Sequence, residues 1–171
     1  MEFLDVIAKR RSVRHFNTRI AVTDEDVRAL LDAATAAPSA GNIQPWRFYV
    51  VRSEEARERL AQAMGQRWAT AAPVVIVVCV DPRPCAARYG QRGEQLYSVQ
   101  DSAAAVHSIL LAAVDRGLAS CWIGAFDDEA VREAIGAPRP VTPIAVLPVG
   151  RSAEAAAKPS RRPLDEVTTW L

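Results

Sequence analysis

Phe3, Val6 and Ile7 share one helical face with Arg10, which predicts a short opening helix giving way to a turn at Arg10-Arg11-Ser12. Thr23 opens a Thr-x-x-Asp box with Asp26, and Val27, Leu30, Leu31 and Ala34 follow at helical spacing, so a second helix runs toward Pro38. Arg47 to Val51 reads as a strand. Ser53 with Glu54 and Glu55 caps a helix reaching toward Trp68. After Pro73, the unbroken apolar run Val74 to Val80 predicts a central strand covered on both faces, ended by Asp81-Pro82-Arg83-Pro84. Ser98 to Arg116 is a long Ala-rich helix in which His107 and Ser108 are the only polar residues between Ala103 and Val114. Such a helix is buried by its own domain or by a partner subunit. Gly117 stops it, and Ser120 to Phe126 reads as a strand that breaks at Gly124. Asp127 or Asp128 caps a short helix ending at Gly136, and Ile144 to Val149 supplies the last core strand. The segment from Arg151 to Leu171 has no core-forming run until Leu164, yet closes on Val167 and Trp170, the pattern of a tail that docks, a second copy of the chain being one candidate.

The 171 residues are 50% hydrophobic and 24% charged, the balance of a single domain over 1–171 that builds its core without disulfides or metals. A net charge of +1 excludes a broad nucleic-acid footprint and makes the position of each arginine matter more than the total. Cys79, Cys85 and Cys121 form no CxxC pair and no signal peptide is visible, which fits the reducing cytoplasm. The two histidines, His15 and His107, lie at no metal-ligand spacing, so no metal site is expected. The longest apolar run is far too short to span a bilayer, and no membrane association is expected.

Against this background two stretches carry candidate chemistry. Arg10-Arg11-Ser12-Val13-Arg14 offers guanidinium forks and a hydroxyl, the donors a phosphate monoester needs. Pro38-Ser39-Ala40-Gly41-Asn42-Ile43-Gln44-Pro45-Trp46 is a proline-bounded loop whose glycine permits unusual backbone angles and whose carboxamides both donate and accept. Together they suit a phosphorylated, hydrogen-bonding heterocycle. Each alone has a plainer reading: arginines beside a helix end are usually solvated, and the loop composition is ordinary. Cys121, in an apparent strand, reads as a small buried hydrophobe with nothing beside it to lower its pKa.

Arg-Arg-Ser-Val-Arg-x-Phe, then Pro-Ser-x-x-Asn-x-Gln-Pro-Trp, a Gly-containing strand end and Arg-Arg-Pro-Leu near the C-terminus together resemble the nitroreductase family of FMN-dependent oxidoreductases. The resemblance covers nearly the whole chain. It implies an α+β fold with a central, mainly antiparallel sheet wrapped by helices, and a homodimer with FMN at the interface and exchanged C-terminal tails. It implies that Arg10, Ser12 and Arg14, with Arg11 between them, meet the phosphate and ribityl chain, and that Arg161, with Lys158 and Arg162 near it, closes on the phosphate. Pro38, Ser39, Ala40 and Asn42 would reach the ring from the other subunit. Gly124 and Ala125 would turn backbone N–H groups toward flavin N5, with Trp122 and Ile123 against the ring and Arg67 near its pyrimidine edge. The implied reaction takes hydride from NADH or NADPH and reduces a nitroaromatic, quinone or similar small-molecule acceptor by a ping-pong scheme. No Gly-x-Gly-x-x-Gly appears, so a Rossmann site for the nicotinamide is not expected. Alternatives are reductive dehalogenation, flavin fragmentation, or flavin binding without turnover. The connection from Val80 to Ser98 is short where many relatives insert helices that roof the site, so a more open or differently shaped pocket is expected; His107-Ser108 stands where many have Gln-Asn.

Overall fold

The computed structural model describes residues 1–171. Its elements are α1 (Phe3–Lys9), α2 (Asp24–Thr35), β1 (Trp46–Val51), α3 (Glu54–Met64), β2 (Val74–Val80), α4 (Arg83–Arg92), α5 (Ser98–Asp115), β3 (Ala119–Ser120), α6 (Asp128–Ala134) and β4 (Thr142–Gly150). The four strands form one antiparallel sheet in the order β1-β2-β4-β3. This is the α+β architecture the sequence implies.

β2 is buried along its whole length because helices cover both faces of the sheet. Val74, Ile76 and Val78 face a core shared with α2 and α5, where Leu30, Ile109 and Leu147 are fully buried. Val75, Val77 and Cys79 face the opposite layer, built from Leu60 of α3, Val131 of α6 and Ile123. Alternation along the strand thus feeds two cores from one run.

Local signals place the helices. Thr23 and Asp26 close a reciprocal capping box on α2, Ser53 Oγ accepts from the Ala56 N–H, and Asp127, not Asp128, caps α6 by accepting from the Ala130 N–H. α3 stops at Met64, short of Trp68, because Gly65 takes a left-handed angle (φ 66°) and a 3-10 turn follows over Arg67–Ala71.

Two expectations are corrected. Of the expected strand Ser120–Phe126 only Ser120 joins a ladder, together with Ala119 before it, and an isolated bridge follows at Ile123↔Val146. Ala119↔Gly150, Ser120↔Val149 and Ile123↔Val146 share one register, so Cys121 stands opposite Pro148, which has no N–H to give. The connection from Val80 to Ser98 is also not bare. Asp81 accepts from Arg83 Nε (2.9 Å) and Nη2 (2.7 Å), α4 starts at once, and a π-helical turn over Gly93–Tyr97 leads into α5. No helix is long and apolar enough to cross a membrane.

Candidate functional site

The chain leaving α1 runs extended beside β3: Ser12 bridges Ser120 in parallel, and the Val13 N–H donates to the Ser120 carbonyl at 3.0 Å. Val13 is buried while Ser12 and Arg14 are exposed, the alternation of an edge segment. Arg10, Ser12 and Arg14 therefore converge around Cys121. Burial pushes the Cys121 thiol up, and the Arg14 charge, the Ser12 hydroxyl and the Arg10 charge pull it back without prevailing. The sequence reading missed these three neighbours, although the thiol stays neutral as expected of a buried cysteine.

Neither Arg10 nor Arg14 has a carboxylate within ion-pair distance, so two positive charges and a hydroxyl on one side of an edge segment lack a counter-ion. That donor set fits a phosphate monoester. Arg11 differs: its Nη1 donates to the Ala8 (2.6 Å) and Arg10 (2.7 Å) carbonyls, satisfying the open end of α1.

Past β3, Ile123 points into the core and pairs its backbone with Val146, while Trp122, Gly124 and Ala125 stay exposed. Ile123 thus anchors the turn from beneath instead of presenting its side chain outward. A Cβ added at Gly124 would meet only the Trp122 indole, its nitrogen at 3.7 Å and its Cδ1 at 4.0 Å. Gln66 Nε2 donates to the Ala125 carbonyl at 3.0 Å and fixes the turn from the side. Arg67, the residue singled out from sequence, lies next to Gln66 but lines a separate small groove with Glu58 and Gln62. A groove of about 420 Å³ adjoins Gly124, walled by Glu94, Gln95, Val99 and Phe126.

The loop Pro38–Gln44 is braced elsewhere. The Ala40 N–H donates to both carboxylate oxygens of Asp101 (3.1 and 3.0 Å), and the Gly41 carbonyl accepts from Arg88 Nη1 at 3.0 Å. No hydrogen bond or ion pair joins this loop to Arg10–Arg14 within the chain. The tail arginines are likewise apart: Arg161 donates only to the Ser160 carbonyl, Arg162 pairs with Glu166, and Lys158 is exposed. One chain therefore assembles the Arg10–Ser12–Arg14 clamp with the Trp122–Ala125 turn, and leaves the loop and the tail to face outward. A larger groove, about 650 Å³ between Tyr49–Ser53 and Glu133–Gly136, contains none of these residues and lies at the β1 edge.

A model of the Nitroreductase family matches residues 7–71 and 61–151. A protein of Archaeoglobus fulgidus provisionally named NADH dehydrogenase/NAD(P)H nitroreductase is 39% identical over 155 residues, 87% of this chain and 84% of its own. The crystal structure of a nitroreductase family protein from Clostridium difficile 630 has a TM-score of 0.87 at 30% identity, covering 99% of this chain and 98% of that one. A protein of Exiguobacterium sibiricum solved in complex with FMN shares the fold with a TM-score of 0.88 at 24% identity, covering 100% of this chain and 98% of its own.

Proposed function

The chain belongs to the nitroreductase family, and from that premise we propose that its 171 residues form one FMN-binding domain of a homodimeric oxidoreductase. It passes reducing equivalents from NADH or NADPH to a nitroaromatic, quinone or similar acceptor. The observation that carries this reading is the clamp: Arg10, Ser12 and Arg14 converge on one side of an edge segment with no carboxylate to neutralise them. When bound, FMN supplies a carrier that accepts hydride from the nicotinamide and gives it up to the acceptor.

The chain's own residues do the holding. Arg10 and Arg14 bring guanidinium donors and Ser12 a hydroxyl to a group carrying nearly two negative charges, where converging forks gain far more than one arginine in water. Gly124 and Ala125 offer backbone N–H groups on a turn that Ile123 anchors below and Gln66 pins at the side. Trp122, 39% exposed, supplies an apolar face beside them. Ser39, Ala40 and Asn42 complete the site from the partner subunit, and Arg161, with Lys158 and Arg162 nearby, closes on the phosphate from the exchanged tail. The exposed apolar residues Phe3, Leu4, Ile7 and Val99 support the dimer, since monomeric surfaces rarely carry such patches. Three buried unpaired thiols suit work in the cytoplasm. Nicotinamide and acceptor use one space in turn, so initial-rate plots are expected to be parallel.

The test is the visible spectrum of the dialysed protein, supplemented with FMN if colourless, titrated anaerobically with NADPH and then NADH. Bleaching of a bound-flavin spectrum is the expected result. A flavin that binds and stays oxidised overturns the proposed donor, and absence of flavin binding overturns the proposal altogether.

A further inference from the structure

The loop Pro38–Gln44 holds a backbone that few sequences adopt alone. Gly41, Asn42 and Gln44 all lie in the left-handed region, with φ of 58°, 55° and 55°, and two of them carry side chains. Local bonds close a single 3-10 turn, with the Asn42 and Ile43 N–H groups donating to the Ser39 and Ala40 carbonyls, while Ser39 Oγ accepts from the Gln44 N–H and Gln44 Nε2 donates to Asn42 Oδ1. Such a conformation persists only where its surroundings impose it.

Two residues from other elements impose it here. Asp101, in the first turn of α5, is 8% exposed and spends both carboxylate oxygens on the single N–H of Ala40. It has no cationic partner, so a charge is buried for the sake of one backbone bond, an arrangement that costs stability by itself. Burial pushes its carboxyl up and the Ala40 N–H pulls it back. From the other side Arg88 of α4 donates to the Gly41 carbonyl, and a Cβ at Gly41 would come within 2.5 Å of Arg88 Nη1 and of the Tyr89 hydroxyl. The loop is thus gripped at consecutive residues by α5 and α4. With its Oδ1 occupied by Gln44, exposed Asn42 presents its amide hydrogens outward.

We propose that Asp101 is the positioning residue of the flavin-facing loop, with Arg88 as its second brace. The inference rests on the reading that this loop meets the flavin ring; Asp101 touches no ligand itself and acts through the Ala40 peptide. A carboxylate suits the task because both oxygens accept, whereas an amide offers one acceptor.

The experiment titrates the dialysed protein with FMN and with riboflavin, which lacks the phosphate, and follows flavin fluorescence. Asp101→Ala is expected to weaken both ligands by about tenfold and by the same factor, Asp101→Asn and Arg88→Ala by about threefold. Arg10→Ala, at the phosphate clamp, weakens FMN alone. At saturating ligand the visible band of the Asp101 and Arg88 variants moves toward that of free flavin, and sedimentation shows the wild-type assembly state. If Asp101→Ala does not fold, the other two variants decide, since Arg88 is exposed. Wild-type affinity for riboflavin in Asp101→Asn and Arg88→Ala overturns the proposal, as does weakening that tracks loss of assembly. A wild-type protein that binds neither flavin overturns the function and leaves the clamp and loop without a ligand.

Discussion

Arg10 and Arg11 are adjacent, carry the same side chain, and are put to different use. Arg11 turns its fork back onto the last carbonyls of α1, whereas Arg10 faces the Ser12 side with no acceptor of its own. Arg10→Ala is therefore expected to weaken FMN binding by about 1.5 to 3 kcal/mol, the worth of a charge-assisted contact. Arg11→Ala should leave FMN affinity within about twofold of wild type and instead lower the melting temperature slightly by fraying α1. Isothermal titration and a thermal melt of each variant separate the two roles. Sequence alone does not divide this pair, because the division depends on the chain running extended beside β3. Gln66 is a similar case: the sequence singled out Arg67, for a pyrimidine edge, and passed over its neighbour Gln66, which bonds the Ala125 carbonyl. The 3-10 turn beginning at Arg67 sets the orientation, and nothing in the composition announces it.

At the level of elements, α2 and α5 are clasped by one carboxylate. Asp26 closes the capping box with Thr23 and also accepts from Arg116 Nε at 2.9 Å, just past the end of α5. Burial pushes its carboxyl up, but the Arg116 guanidinium and the Thr23 donors together hold it below the usual aspartate value. A depressed folded value means the carboxylate stabilises the fold above the ordinary aspartate value, and that this contribution is lost as pH falls through the folded one. Asp26→Asn, which keeps an acceptor for the cap, should cost about 1 to 3 kcal/mol at neutral pH, and its deficit should shrink in acid. Urea melts at neutral and acid pH check this; a deficit that is unchanged in acid would show that charge is not its source. The box was legible as Thr23-x-x-Asp26, but Arg116 is 90 positions away and was not. The over-long strand at Ser120–Phe126 has the opposite cause: Cys121, Trp122 and Ile123 have strand character, but the ladder is interrupted at Cys121, which stands opposite Pro148. The four-stranded core itself was legible, because β2 and β4 are apolar runs of strand length.

Considered as a whole molecule, one chain buries the middle of its sheet, β2 along its whole length, and leaves apolar side chains near both ends of the chain exposed. The tail's first residues stay on their own chain, with Ala156 against Val13 and Phe16, but Leu164 is 68% exposed, Val167 58% and Trp170 85%, so its last apolar side chains are left largely uncovered. The face of α1 carrying Phe3, Leu4 and Ile7 is equally bare. Burying a single large apolar side chain contributes about 1.5 to 3 kcal/mol, so a tail with three of them is a plausible anchor only if a surface exists to receive it. The sequence pointed to docking through Leu164, Val167 and Trp170, and the exposure of all three agrees. Removing residues 164–171 is therefore the informative change. If the tail crosses to a second copy and brings Arg161 to the phosphate, the truncated protein sediments as a smaller species at low concentration and loses FMN on dialysis. Its FMN affinity then also rises with protein concentration, because the assembled site alone binds the ligand and mass action couples the two equilibria. If the truncated chain keeps both its assembly state and its FMN, the tail is not part of the site. The loop gripped by Asp101 and Arg88 would then be left as the partner subunit's contribution.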